Sequence, residues 1–203
     1  LALYGIACTI ISHPDEIGRI SDGITDAWDQ WRVHVVLISP RVWEGAEPET
    51  LCSVQTRERE VSISYHKIIQ EPVMQRADAI QAIASLLTNE LVISNIGVPS
   101  KELHAASDRD GNFYMLGSYT QASPIGLNLA LGTNKPVVVL DGDGSMLGTA
   151  VLPVVAEENP SNLTIICLDN GVFGSTGNQC TPAGKKVDLE LAARAYGIRN
   201  TCS

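Results

Sequence analysis

Two oxygen-bearing side chains stand where they could share one metal ion. Asp143 follows the apolar, β-branched run Val137-Val138-Val139-Leu140, and Asn170 follows Ile165-Ile166-Cys167-Leu168, 27 positions after Asp143. That interval holds a crossover helix and the next parallel strand, so both ligands should arrive at the same carboxyl edge of a sheet. Open α/β sheets bind their ligands along that edge.

The turn around Asp143 narrows what the metal carries. Gly142 and Gly144 let the backbone approach a ligand closely, and a helix beginning near Ser145 turns its free N–H groups and positive dipole end to the same place, which suits a phosphate. Asp143, between the glycines, repels a bare anion. A cation between carboxylate and phosphate removes the conflict, and oxygen ligands with phosphate oxygens form the shell that Mg²⁺ prefers. The residues read as an anchor for a diphosphate bound through Mg²⁺. A dinucleotide-binding turn is the rival reading, because it also places a glycine-rich turn after a strand. Its third glycine belongs at position 147, where Leu147 stands, and Gly148 comes one place too late.

The elements that must position this turn can be read from periodicity. Leu91-Val92-Ile93-Ser94 is a strand, and Asn95-Ile96-Gly97-Val98-Pro99 turns it into a helix containing Lys101, Glu102 and Leu103. Ile80, Ile83, Ala84 and Leu87 mark a helix before it. Phe113 to Leu116 is a short strand, followed after Gly117-Ser118 by a helix to about Leu131. Glu157-Glu158 closes a helix before Asn159-Pro160. A glycine-rich loop follows Asn170, then a helix with Leu189, Leu191, Ala192 and Ala195, and a further strand is expected where the sequence stops at Ser203.

Before position 46 the pattern is strand, helix, strand. Thr9-Ile10-Ile11 is apolar, Ser12 is placed to cap a helix with Pro14 early in it, and Val33 to Ile38 is the next strand. Between them Ile17, Ile20, Ile24, Ala27, Trp28 and Trp31 repeat on one face, which predicts core positions for both tryptophans. Glu44 to Pro72 is charged and polar, includes Thr56-Arg57-Glu58-Arg59-Glu60, and has no sustained period. The organisation expected is residues 1–45 as the end of one domain, 46–72 as linker and 73–203 as a second domain. The fold class is α/β, a parallel sheet with helices on both faces.

Composition sets the remaining bounds. A formal net charge of −9 argues against nucleic acid and anionic membrane as partners. Cys8, Cys52, Cys167, Cys180 and Cys202 include no CxxC pair, and no histidine is spaced with them for zinc, the pattern of reduced thiols in a cytoplasmic protein. No apolar run is long enough to span a membrane and nothing at the start resembles a signal peptide. The first residue is Leu1, not Met, so an earlier portion is expected. An anionic substrate would need local cations, and Lys101, Arg109, Lys185 and Lys186 are nearest in sequence. His104 is a candidate proton donor, although a single helical histidine is more often a surface residue.

Gly142-Asp143-Gly144-Ser145 followed by Asn170-Gly171-Val172 resembles the signature of thiamine-diphosphate enzymes. The resemblance implies Mg²⁺ bound by the Asp143 side chain, the Asn170 side chain and the Val172 carbonyl. Asn95 to Leu103, Phe113 to Ser118 and Gly174-Ser175-Thr176-Gly177-Asn178-Gln179 are further similar to the small decarboxylases acting on sulfopyruvate or phosphonopyruvate. It implies thiamine diphosphate and Mg²⁺ as cofactors, bound among Asn95, Gly97, Gly117, Ser118, Tyr119, Gly142, Asp143, Gly144, Ser145, Asn170, Val172, Gly174 and Ser175.

The activity implied is non-oxidative decarboxylation of a 3-substituted pyruvate. The first choice is 3-sulfopyruvate to sulfoacetaldehyde, a step of coenzyme M biosynthesis; the alternatives are 3-phosphonopyruvate, or a fragment inactive without its partner. Residues 1–45 would be the end of a pyrimidine-binding domain, and 73–203 a diphosphate-binding domain, truncated at its end. No residue matches the glutamate that activates the cofactor in this family, so a pyrimidine-domain subunit or a second copy of the chain is the expected partner, in a homo- or hetero-oligomer. Four positions depart from the family pattern: Tyr119 and Thr120 replace the usual Met and Gly, Tyr119 standing where related enzymes carry an apolar wedge, and Asn178 and Cys180 replace the usual Gly and Pro.

Overall fold

β-branched runs pair in parallel in both parts of the chain. The structure, a computed structural model, describes residues 5–46, 66–67 and 72–203, so most of the expected linker, Cys52 and Thr56 to Glu60 included, lies outside the described residues. The chain divides into two compact units, Leu1–His66 and Lys67–Ser203.

In the first unit β1 (Ala7–Ile11) pairs with β2 (His34–Ile38), and α1 (Arg19–Asp29) connects them. Helix α1 lies on the sheet through its smallest residue: a Cβ on Gly23 would stand 3.0 Å from Cγ2 of Val36 and 3.3 Å from Cδ2 of His34. A polar chain fastens this contact. His34 bonds Thr9 Oγ1 through Nε2 at 2.9 Å and Asp26 through Nδ1 at 2.6 Å, while Arg32 grips both Asp26 oxygens. The sheet therefore meets α1 at Gly23 and Asp26. The tryptophans expected in the core lie outside it, Trp28 at 72% and Trp31 at 92% exposure. Periodicity identified an apolar stripe, but close approach at Gly23 and the half-buried Asp26–His34 pair rotate the seam away from its aromatic flank. Ser12 also departs from its expected role: the turn after β1 is a 3₁₀ turn, Pro14–Glu16, and Ser12 meets Glu16 through its backbone N–H at 2.8 Å.

The second unit is built on a four-stranded parallel sheet: β3 (Leu91–Ser94), β4 (Asn112–Tyr114), β5 (Val137–Gly142) and β6 (Leu163–Leu168), in the order β4-β3-β5-β6. Its central strands are buried on both faces, as their continuous apolar runs require; Val92, Val137, Val139 and Leu140 have no exposed surface. On one face α2 (Arg76–Leu86) and α3 (Val98–Ala106) pack Ile80, Ala84 and Leu103 against Val92 and Leu140. On the other, α4 (Ala122–Gly132) packs Ala122 and Ala130 against Ile93, Val137 and Val139. Between β5 and β6 run α5 (Asp143–Leu147) and α6 (Val151–Glu158), with Met146 and Val151 joining Leu127 in a further cluster. The chain then forms a hairpin of β7 (Val172–Phe173) and β8 (Gln179–Cys180), where the sequence suggested only a loop, and ends in α7 (Leu189–Tyr196). Helices cover both faces of a parallel sheet, the expected α/β class. Among the described residues no helix is long and apolar enough to cross a membrane.

Helix α4 sits close to the sheet because Gly126 has no side chain; an added Cβ would overlap Cγ2 of Val139. Gly126→Ala should destabilise the protein by about 1–3 kcal/mol in urea unfolding, because overpacking exceeds the ~1 kcal/mol gained in helix propensity, and Val139→Ala should recover part of the loss. In the first unit, the Arg32 and then the His34 hydrogen bonds hold the Asp26 carboxyl down at about 2. Stability from this network is then fully present above the ordinary carboxylate range and lost as pH falls through about 2. Carboxyl-carbon NMR shifts should place the Asp26 titration there.

Candidate functional site

Strands β3, β5 and β6 are neighbours, so the residues that follow them emerge side by side. Asn95 follows β3, Gly142 ends β5 opposite Leu168 of β6, and Asp143 and Asp169 come next after the two strands. Asn95 is 8% exposed, and its side-chain nitrogen lies 3.4 Å from where a Cβ on Gly142 would stand. Asp143 is 2% exposed. The Thr181 hydroxyl, itself buried, donates to it, while the Thr181 N–H donates to the Gly171 carbonyl at 2.9 Å. One threonine thus ties the buried carboxylate to the segment that carries Asn170.

That segment is tightly folded. The Asn170 side-chain oxygen accepts the Val172 N–H at 3.2 Å, and the Val172 carbonyl accepts the Gly174 N–H at 3.1 Å. Gly171 has φ +67, and a Cβ on Gly184 would come within 2.7 Å of its carbonyl oxygen. Phe173 turns its ring onto Gly144, where any Cβ would overlap it. The structure therefore places Asp143, Gly144, Asn170 and Val172 in one cluster around the end of β5.

The cluster carries excess negative charge. Asp141 is fully buried, accepting the Ser123 hydroxyl at 2.5 Å and the Gly142 N–H at 2.9 Å. Burial and then the Asp143 carboxylate raise the Asp169 carboxyl, although the Gly171 N–H opposes this. Burial and then Asp141, Asp169 and Asp143 raise the Cys167 thiol, and burial with Asp141 and Asp143 raises the Tyr119 phenol. In each case burial comes first and neighbouring carboxylates add to it, and a cation at this edge would offset their charge. Among the described residues no three His, Cys, Asp or Glu side chains cluster to hold a metal. A cation here would draw on one carboxylate, amide and backbone oxygens, and oxygens of a ligand or water, a set that suits Mg²⁺.

A phosphate group also fits this edge. The Ser145 hydroxyl is buried and has no hydrogen-bond partner, and neither has that of Ser94. Helix α5 has only five residues, so its summed dipole is smaller than the sequence suggested. What it presents is the free N–H groups of a first turn. Gly97, with φ +88, opens α3 and faces Ser175, whose hydroxyl lies 2.9 Å from the position of a Cβ on Gly97. Gly174 and Ser175 are exposed in the β7–β8 hairpin, and Gly117, Ser118 and Tyr119 are exposed in the segment between β4 and α4.

The cations proposed from sequence are dispersed. Arg109 donates to the Thr88 and Glu90 carbonyls at 2.8 and 3.1 Å, at the entry to β3 and so at the opposite edge of the sheet. Lys101, Lys185 and Lys186 are exposed. His104 lies 3.5 Å from Asp108 and packs on Tyr114, a surface pair. Sequence reasoning missed Thr181, Asp141, Asp169 and Phe173. Asp169 stands beside Asn170 after an apolar run and was there to be read, but nothing local marks Thr181, 38 positions from its partner.

Comparison with known proteins gives consistent similarities. Residues 103–202 match the family model of the thiamine pyrophosphate enzyme, C-terminal TPP binding domain. Sulfopyruvate decarboxylase of Methanosarcina acetivorans is 44% identical over 97% of this chain and 53% of its own length. The sulfopyruvate decarboxylase subunit beta of Methanothermobacter thermautotrophicus is 47% identical over 62% of this chain and 68% of its own length. Phosphonopyruvate decarboxylase of Streptomyces viridochromogenes is 45% identical over 58% of this chain and 30% of its own length. A solved structure from Mycobacterium smegmatis, described as a thiamin diphosphate-dependent enzyme, superposes with a TM-score of 0.52 at 17% identity, over 61% of this chain and 25% of that one; it supports the fold alone. The chain thus spans about half the length of the Methanosarcina relative and two thirds of the Methanothermobacter subunit.

The Thr181 bond yields a test independent of any ligand. Thr181→Val keeps the shape and removes the donor to buried Asp143. It should lower unfolding free energy by about 1–3 kcal/mol in urea titration, the cost of depriving a buried carboxylate of a hydrogen bond.

Proposed function

This chain belongs to the thiamine-diphosphate-dependent decarboxylase family that includes sulfopyruvate decarboxylase, and from that premise we propose that it provides the diphosphate- and Mg²⁺-binding part of a 2-oxo acid decarboxylase. The observation that carries the reading is the burial of Asp143 at the carboxyl edge of a parallel sheet, in a negative cluster that also contains Asn170 and the Val172 carbonyl. In this reading those three groups hold Mg²⁺. Gly142, Gly144, Ser145, Asn95 and Gly97 adjoin the diphosphate, with Gly117, Ser118, Tyr119, Gly174 and Ser175 at its margin. When bound, thiamine diphosphate supplies the electron sink that lets CO₂ leave a 2-oxo acid.

The substrate proposed is 3-sulfopyruvate, giving sulfoacetaldehyde and CO₂ in coenzyme M biosynthesis, in the cytoplasm. The 44% identity across nearly the whole chain favours it. A phosphonopyruvate substrate is the second reading, favoured by the 45% identity to that decarboxylase over a shorter stretch. The residues 1–45 would close a pyrimidine-binding domain, 46–72 link it, and 73–203 form the diphosphate-binding domain. The activating glutamate would come from a pyrimidine-domain subunit, as the beta-subunit name of a relative suggests, or from another copy of the chain. Alone, the chain would bind cofactor without turning over substrate.

Asp143→Ala should abolish Mg²⁺-dependent binding of thiamine diphosphate in calorimetry; undiminished affinity would refute the metal assignment. With a pyrimidine-domain partner supplied, CO₂ release should be greater from 3-sulfopyruvate than from 3-phosphonopyruvate. The reverse order would transfer the chain to the second reading, and no release from either would leave it a binding fragment.

A further inference from the structure

The short helix α5 carries Asp143, and five residues cannot hold their own position. Two aromatic rings from the flanking segments close on it. Phe173, from the hairpin after β6, packs against Gly144, where a Cβ would overlap the ring. Tyr119, from the segment before α4, reaches the opposite end: a Cβ on Gly148 would stand 2.7 Å from the Tyr119 hydroxyl and 2.9 Å from its Cε1. The two rings meet edge to face, centroids 6.4 Å apart at 60°. The Tyr119 hydroxyl donates to the Gly144 carbonyl, which also accepts the Gly148 N–H at 3.2 Å.

This gives two glycines of α5 and its end a use. Gly144 is the notch for Phe173 and Gly148 the notch for Tyr119. Gly148 is the glycine that falls one place late for a dinucleotide-binding turn, and here its missing side chain admits a tyrosine tip. Thr120, next to Tyr119, has φ +69, a conformation disfavoured for a β-branched residue. The Thr120 methyl would itself lie 2.7 Å from a Cβ on Gly148, so the unusual backbone brings both residues to the same notch.

We infer that Tyr119 is a positioning residue for the metal turn: by bonding the Gly144 carbonyl through its hydroxyl, and bracing Phe173 through its ring, it sets α5 so that Asp143 meets the cation. Its polar tip, out of place on an apolar wedge, is the part that does this. An apolar residue of similar size could pack beside the helix but could not orient the Gly144–Ser145 peptide, one residue on from Asp143. Buried Asp143 is held from one side by Thr181 and, through its own helix, from the other by Tyr119.

The inference rests on the proposed metal site, and Mn²⁺ in place of Mg²⁺ separates the two. Free Mn²⁺ is read by electron paramagnetic resonance in titrations of the whole chain with thiamine diphosphate present. Tyr119→Phe keeps the ring and loses the bond. It should weaken Mn²⁺ binding about fivefold, the fold-change of one lost hydrogen bond at about 1 kcal/mol, with a thermal midpoint close to that of the parent. Gly148→Ala, which keeps the hydroxyl but fills its notch, should weaken binding in the same direction, and combining the two should add little. Parent-like Mn²⁺ affinity in Tyr119→Phe, or full additivity in the pair, overturns the positioning role. Mn²⁺ binding that survives Asp143→Ala, or is absent from the parent, instead sinks the metal site beneath it.

Discussion

A carboxylate buried at the carboxyl edge of a parallel sheet is the constraint around which the second unit is arranged. Asp143 has almost no contact with solvent, so its charge must be met by donors from the protein or by a cation. The fold supplies one hydroxyl, from Thr181, and sets further carboxylates at Asp141 and Asp169 beside the site, with Lys67 offsetting part of the charge at Asp169. Such a site is organised for something positive.

Much of the surrounding architecture follows from holding this carboxylate still. Buried strands β3 and β5 give the edge its rigidity, with close helix packing at Gly126 on one face and Leu103 on the other. The segments at the edge are short and glycine-rich, and they touch one another through notches where a side chain is missing: Gly97 against Ser175, Gly144 against Phe173, Gly171 against Gly184. Function is carried by segments whose freedom is removed by their neighbours. Tyr119 is part of the same scheme, since it links the segment before α4 to the turn after β5.

The first unit obeys a different balance. Its helix rests on two strands through Gly23 and a chain of hydrogen bonds from Thr9 to Arg32, and its largest apolar residues face outward. An apolar stripe read from sequence gives the presence of a face but not its centre, because the centre depends on which small residue allows the closest approach. Trp28 and Trp31 were misplaced for that reason. The α/β class, the four strands of the second unit and most helices between them were legible, because apolar runs and their breaks repeat with the periods of strands and helices; the crossover from β5 to β6, expected as one helix from near Ser145, is two, α5 and α6.

What the sequence by itself determined is the local chemistry: Asp143 between two glycines, Asn170 after the next apolar run, and a spacing that brings both to one edge. It also determined the family, since those motifs are short, contiguous and distinctive. Only the tertiary structure decided which distant groups complete the site. Thr181 reaches Asp143 across 38 positions, Phe173 and Tyr119 close on α5, and Arg109 belongs to the opposite edge of the sheet. Periodicity along a chain records which face a residue takes. It carries no record of which residue stands across from it, and that is settled by the register of the strands and the depth to which each side chain is packed.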